Sequence, residues 1–170
     1  MPLSRGDLLM PLAATSSRTI LGFDYGARRI GVAVGQELLG SARALEVVGN
    51  GEQGPHWERI DAIVAEWKPD VLVVGLPLTM AGEEQATSRG ARRFGEQLAA
   101  RYRLDVHAHD ERLTSIEADS RFALARRSGQ RRQKDAAIKD AIAAQVLLES
   151  WFAECSAGSR DERASDRGSA

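Results

Sequence analysis

The chain has 170 residues, of which 43% are hydrophobic and 28% are charged, and this length fits one domain with a core of its own. The 23 Lys and Arg residues nearly balance the 24 Asp and Glu residues, so the formal net charge is -1 and bulk charge gives no sign of a nucleic-acid binder. The single cysteine, Cys155, excludes an intrachain disulfide and a cysteine metal cluster, which favours a reducing, cytoplasmic location. No apolar stretch is long enough to span a membrane.

Composition divides the chain into three parts. Residues 1–18 are predicted to be a disordered leader, because their apolar run at 8–14 is short and is interrupted by Pro11. Residues 154–170 are small and charged without periodicity, which predicts a disordered tail. The folded domain is therefore expected to cover residues 19–153.

In chain order, the predicted elements open with three strands and then alternate helices with strands. Two apolar runs joined by a turn at Gly26 indicate a hairpin, and apolar residues at helical spacing indicate the helices. The elements are strands 19–25, 30–35 and 41–48, helix 56–68, strand 71–76, helix 83–102, strand 104–110, helix 114–127, a basic loop at 128–134 and helix 135–153. This order predicts an α/β fold, with a mixed five-stranded sheet flanked by helices in a single domain.

Three carboxylates occupy places where an ordinary surface acid is unexpected. Asp24 lies within an apolar strand, Glu111 follows a strand's C-terminal end, and Asp140 lies on the apolar face of the last helix. Mg²⁺ and Mn²⁺ prefer oxygen ligands, and two such ions can drive hydrolysis of a phosphodiester bond. The alternatives are a turn aspartate, a surface acid paired to Arg112, and an acid favoured by the helix dipole.

Basic residues cluster just before the last helix. Residues 121–139 contain seven Lys and Arg residues against Asp135 alone. Phosphate contact is one use for this charge, and a solvated basic loop is the alternative. The predicted nucleic-acid contacts are Arg126, Arg127, Arg131, Arg132 and Lys134.

Two further features are left open by the sequence. Arg28 and Arg29 follow Asp24 closely and either face the substrate or pair with nearby acids. His109 lies two residues before Glu111 and therefore points to the same side of the predicted strand. It is either a proton shuttle or a histidine at a strand end whose ring nitrogens are hydrogen-bonded.

Four segments, met in order over residues 19–153, resemble the YqgF family, also called RuvX. They are FDYG at 23–26 with RIGVAVG at 29–35, VGLPL at 74–78, DERLTSIEA at 110–118, and KDAIAA at 139–144 with LLES at 147–150. The resemblance implies an RNase H-like fold, a role as a nuclease of pre-16S rRNA, and a distant similarity to Holliday-junction resolvases. Carried over to this sequence, it places the family's catalytic acids at Asp24, Glu111 and Asp140.

The expected function is therefore metal-dependent cleavage of nucleic acid, with two Mg²⁺ or Mn²⁺ ions as cofactor. The resemblance implies processing of the 5′ end of pre-16S rRNA, with pre-rRNA or the precursor of the small ribosomal subunit as partner. One alternative is a DNA endonuclease resembling the junction resolvases, and another is an rRNA-binding assembly factor without catalysis. An ATP-binding protein of the actin–Hsp70 type needs two lobes, and this chain has room for one.

Overall fold

Six strands and three helices make up the residues that the computed structural model describes, which are 17–76, 86–110 and 132–166. In chain order they are β1 (Thr19–Tyr25), β2 (Arg29–Gln36), β3 (Ser41–Gly51), β4 (Gly54–Pro55), α1 (Trp57–Trp67), β5 (Val71–Leu76), α2 (Ala86–Tyr102), β6 (Asp105–Asp110) and α3 (Arg132–Asp166). The predicted helix at 114–127 lies outside these ranges.

The strands form one mixed sheet in the order β4-β3-β2-β1-β5-β6. β1 pairs antiparallel with β2 and parallel with β5, and β5 pairs parallel with β6. The predicted hairpin and the five predicted strands are confirmed. The sixth strand, β4, has only two residues, too few to produce the alternation from which a strand can be predicted.

Side chains alternate along each strand, so the sheet has a core on both faces. On one face, Leu21 and Phe23 of β1 pack with residues of α1 and α2. On the other, Ile20 of β1 and Val73 of β5 pack with Leu148 and its neighbours in α3. We call this second side the α3 face, and it carries the candidate site.

Helix α3 is longer than the sequence predicted. It begins at Arg132 rather than at residue 135, so two of the predicted basic-loop residues, Arg132 and Lys134, lie within the helix. It also runs to Asp166, although residues 154–170 were expected to form a disordered tail. Residues 154–166 contain no proline and include Glu, Ala and Arg, which are good helix formers. Within the part of the chain that the structure describes, no helix is both long enough and apolar enough to cross a membrane.

An ion-pair cluster joins α1 to α2 at the surface. Arg101 donates Nε and Nη2 hydrogen bonds to the Asp61 carboxylate at 2.7 and 2.6 Å, and the Tyr102 hydroxyl donates a third at 2.5 Å. These bonds, from Arg101 first and then Tyr102, lower the pKa of Asp61 to about 2.

The cluster predicts a pH-dependent contribution to stability. A carboxyl whose pKa is depressed by folding stabilises the protein above its unfolded pKa of about 4. That contribution should disappear as the pH falls toward the folded pKa of about 2. We expect urea unfolding of Asp61→Asn to show a stability deficit at pH 6 that shrinks steadily toward pH 2. A deficit that does not change with pH would contradict this account.

Candidate active site

Asp24 lies near the end of β1, on the α3 face. The residues at alternate positions before it, Ile20 and Gly22, meet α3, and strand alternation carries Asp24 to the same side. Its register partners on the two neighbouring strands are Gly31 of β2 and Gly75 of β5. Neither neighbour has a side chain, so only backbone flanks Asp24 within the sheet.

Helix α3 brings Asp140 to the same level of the sheet. A β-carbon added to Gly31 would collide with the carbonyl oxygen of Asp140 and come within 3.1 Å of the Ala141 nitrogen. The helix backbone therefore lies directly on β2 at this point. Because Gly31 is the register partner of Asp24, the backbone of α3 at Asp140 lies over the strand position next to Asp24.

Glycines on the α3 face allow this close approach. A β-carbon on Gly22 would lie 3.3 Å from the Leu148 β-carbon, and one on Gly35 would lie 2.6 Å from the Phe152 ring. With Gly31, these residues form a smooth surface on which the helix rests. This role was not predicted from the sequence; the available signal was that Gly31 and Gly35 lie on the same side of an apolar strand.

Arg29 forms an ion pair with Asp140. Its Nε donates a hydrogen bond of 2.8 Å to Oδ2 of the carboxylate. The Arg29 side chain is 50% exposed and the Asp140 side chain is 27% exposed, so the pair lies at the edge of the core, open to solvent. Of the two possibilities that the sequence left open for Arg29, the structure shows pairing with an acid.

The turn that carries Arg28 and Arg29 is fixed by Asn50 of β3. The Asn50 side-chain amide donates to the Gly26 carbonyl at 2.7 Å, and its backbone N–H donates to the Arg28 carbonyl at 2.9 Å. Asn50 is only 5% exposed, so these bonds are shielded from water. The sequence gave no local signal for this role, because residue 50 meets the turn only through strand pairing.

His109 connects β6 to α3. It is 5% exposed, and its Nε2 lies 3.0 Å from the Ser150 hydroxyl while its Nδ1 lies 3.3 Å from the Glu154 carboxylate. Its register partner is Gly75, the neighbour of Asp24. Both ring nitrogens therefore have partners. This agrees with the hydrogen-bonded histidine that the sequence left open as the alternative to a proton shuttle.

Only some of the other predicted site residues belong to the part of the chain that the structure describes. Glu111 follows the last residue of β6 and lies outside the described residues, as do Arg126, Arg127 and Arg131. Arg132 and Lys134 belong to the first turn of α3. Among described residues, no three His, Cys, Asp or Glu side chains are grouped so that they could hold a metal ion.

Asp24 and Asp140 nevertheless fit a divalent cation in their chemistry. Both supply the hard carboxylate oxygens that Mg²⁺ and Mn²⁺ prefer. Asp140 already holds one cation, the guanidinium of Arg29.

Comparison with known proteins identifies the family of this chain. The sequence pattern described as "RuvX: Holliday junction resolvase" matches residues 18–154. A protein of Azotobacter vinelandii named "Putative pre-16S rRNA nuclease" is 50% identical over 142 residues, covering 83% of this chain and 97% of its own length. A protein of the same name from Xanthomonas euvesicatoria pv. vesicatoria is 48% identical over 135 residues, covering 79% and 87%.

A solved structure agrees in fold. "T. thermophilus RuvC in complex with Holliday junction substrate" superposes with a TM-score of 0.50 at 22% identity, covering 82% of this chain and 96% of that one. The fold is therefore that of the RNase H-like resolvases, as the resemblance implied. Sequence similarity is closer still: the chain belongs to the RuvX family. It is a nuclease that hydrolyses phosphodiester bonds.

Proposed function

We propose that this protein is a metal-dependent nuclease that processes the 5′ end of pre-16S rRNA in the cytoplasm, acting on pre-rRNA or the small-subunit precursor. The observation that supports the proposal is the contact of the α3 backbone at Asp140 with Gly31, the register partner of Asp24. The names of the relatives supply the substrate.

The metal would be held by Asp24, Glu111 and Asp140. Mg²⁺ or Mn²⁺, as a pair of ions, would supply an activated water and charge stabilisation for the leaving oxygen. The protein's own contribution is rigidity. Asp24 belongs to a strand paired on both sides, and backbone contact with Gly31 fixes the height of Asp140 above the sheet. Side chains on regular elements keep the geometry that such chemistry needs.

Substrate binding would come from basic residues near the start of α3. We assign phosphate contacts to Arg126, Arg127, Arg131, Arg132 and Lys134. Phosphate contacts position nucleic acid without reading its sequence, so this cluster would serve binding rather than the choice of cleavage site.

Cleavage of matched substrates tests the function directly. A pre-16S rRNA fragment that retains its 5′ leader, duplex DNA of equal length and a DNA four-way junction would each be incubated with Mg²⁺ or Mn²⁺. We expect the RNA to be cut in the leader only when divalent metal is present. Cleavage of the junction with the RNA left intact would instead support resolvase activity, the second candidate, which the family's description names. RNA binding that does not depend on metal, without cleavage, would support the assembly factor.

The basic cluster gives a separate prediction. Replacing Arg126 and Arg127 with Ala should weaken RNA binding and lower the slope of log affinity against log salt by roughly one unit per lost contact. Binding titrations from 50 to 200 mM salt would measure the slope. The matched control removes Arg89 and Arg93, two exposed arginines of α2, the helix on the opposite side of the sheet. An equal change in both variants would show that the RNA does not prefer the basic cluster to the arginines of α2.

A further inference from the structure

The guanidinium of Arg29 supplies a positive charge beside the Asp140 carboxylate. A metal-binding carboxylate needs such a charge when no metal is present. We propose that Asp140 exchanges Arg29 for the metal ion, and that the released guanidinium then binds a phosphate of the substrate. This inference rests on the proposed metal site at Asp24 and Asp140. It assigns to Arg29 a positioning role in the metal-free enzyme and a substrate-binding role in the loaded one.

The geometry of the ion pair is suited to exchange. Four arginine–carboxylate pairs occur among the described residues, and three of them are two-pronged, with both Nε and Nη2 bonded to the carboxylate. These three are Arg18–Glu37, Arg59–Glu46 and Arg101–Asp61. Arg29 makes a single Nε bond to Asp140, at 2.8 Å. Two-pronged pairs are the stronger kind, so Arg29–Asp140 is the pair that a competing cation separates most readily.

The surroundings fix the base of Arg29 and leave its head open. Asn50 holds the preceding turn through the carbonyls of Gly26 and Arg28, and Arg29 itself is the first residue of β2. Its side chain is half exposed. A short swing of the guanidinium therefore carries it from the carboxylate to a ligand in solvent, while the backbone stays in place.

The chemistry of arginine fits both states. A guanidinium keeps its charge at every physiological pH, so it must be displaced by another cation rather than deprotonated. Its planar set of N–H donors matches the oxygens of a phosphate. Metal binding would thus both fill the site and free a phosphate ligand beside it, which couples the two events.

The inference predicts opposite effects of one substitution. Arg29→Gln removes the competing cation, so Mn²⁺ should bind more tightly, by roughly two- to fivefold for a pair this exposed. The same variant loses a phosphate contact, so KM for the RNA at saturating Mn²⁺ should rise by about tenfold with little change in kcat. A residue that only stabilises the fold would not strengthen metal binding.

Calorimetric titration with Mn²⁺ in the absence of nucleic acid is the primary test. Arg28→Gln, which removes the neighbouring charge but leaves the ion pair, is the matched control and should keep wild-type Mn²⁺ affinity. Arg29→Lys keeps a positive charge and should bind Mn²⁺ nearly as wild type does, while losing the planar contact to phosphate and raising KM. Thermal melts of each variant without metal check that the fold is retained.

Asp140→Asn separates failure of this inference from failure of the proposed metal site. If Asp140→Asn weakens Mn²⁺ binding but Arg29→Gln leaves it unchanged or weaker, the metal site stands and the exchange is overturned. If Asp140→Asn leaves Mn²⁺ affinity unchanged, Asp140 is not a ligand, and the proposed metal site falls together with the exchange.

Discussion

Replacing Asp24 with Asn should reduce cleavage by on the order of 10³-fold or more while the protein stays folded. The amide has the shape of the carboxylate but lacks its charge, and loss of a metal ligand removes several kcal/mol of transition-state stabilisation. Clustered acids repel one another, so removing one should leave thermal stability without metal unchanged or raise it. The rise in melting temperature that we expect for wild type with Mg²⁺ or Mn²⁺ should be lost.

Asp140→Asn should reduce cleavage in the same way, and Asp135→Asn, earlier in α3, is the matched control and should remain active. Initial cleavage rates and melting curves with and without Mn²⁺ decide between the variants. Full activity of Asp24→Asn would remove Asp24 from the site. If Asp135→Asn were inactive and Asp140→Asn active, our choice between the two helix acids would be wrong, and the nuclease function would remain.

Gly31→Ala should damage both stability and activity, although it adds a single methyl group. That methyl would collide with the Asp140 carbonyl oxygen, a backbone atom that cannot rotate away. Forcing extra atoms into a packed contact usually costs about 1–3 kcal/mol, and we expect the upper end here because the whole helix must shift. Asp140 would then move away from Asp24, and a displacement of about 1 Å can lower kcat by about 100-fold.

The control for this prediction lies on the neighbouring strand. Gly49 of β3 is the register partner of Arg29, and a β-carbon added there meets nothing within 4 Å. Gly49→Ala should therefore change the free energy of unfolding by less than about 0.5 kcal/mol and leave cleavage unaffected. Urea unfolding and initial rates, compared for the two alanine variants, measure both effects. Similar behaviour of the two variants would contradict the close contact between α3 and β2.

Local pattern was enough to predict most of the sheet. The apolar runs at 19–25 and 71–76 predicted β1 and β5 correctly, because a buried strand repeats its chemistry over neighbouring residues. The helical wheel also placed Asp140 toward the apolar side, and its side chain is 27% exposed. Periodicity was weak after residue 153, where the structure continues α3 to Asp166.

The contacts that complete the candidate site could not be predicted in this way. Arg29 and Asp140 are 111 positions apart, and no local pattern states which distant residue a side chain will meet. The same is true of Asn50, whose contact with the turn depends on the register between β2 and β3. Register is a property of the assembled sheet, so residues that act through it become visible only in the structure.

The long separation between Arg29 and Asp140 has a consequence for how the enzyme is made. During synthesis, the N-terminal strands leave the ribosome well before α3, and chains emerge at about 5–20 residues per second. Until α3 packs onto β2, Asp24 faces solvent without the helix that supplies Asp140. With the proposed site, a nascent chain is therefore an incomplete nuclease, and it gains its third acid, Asp140, only when the last helix is released. An enzyme proposed to cut ribosomal RNA precursors would therefore be inactive during its own synthesis, while it is next to the RNA of the translating ribosome.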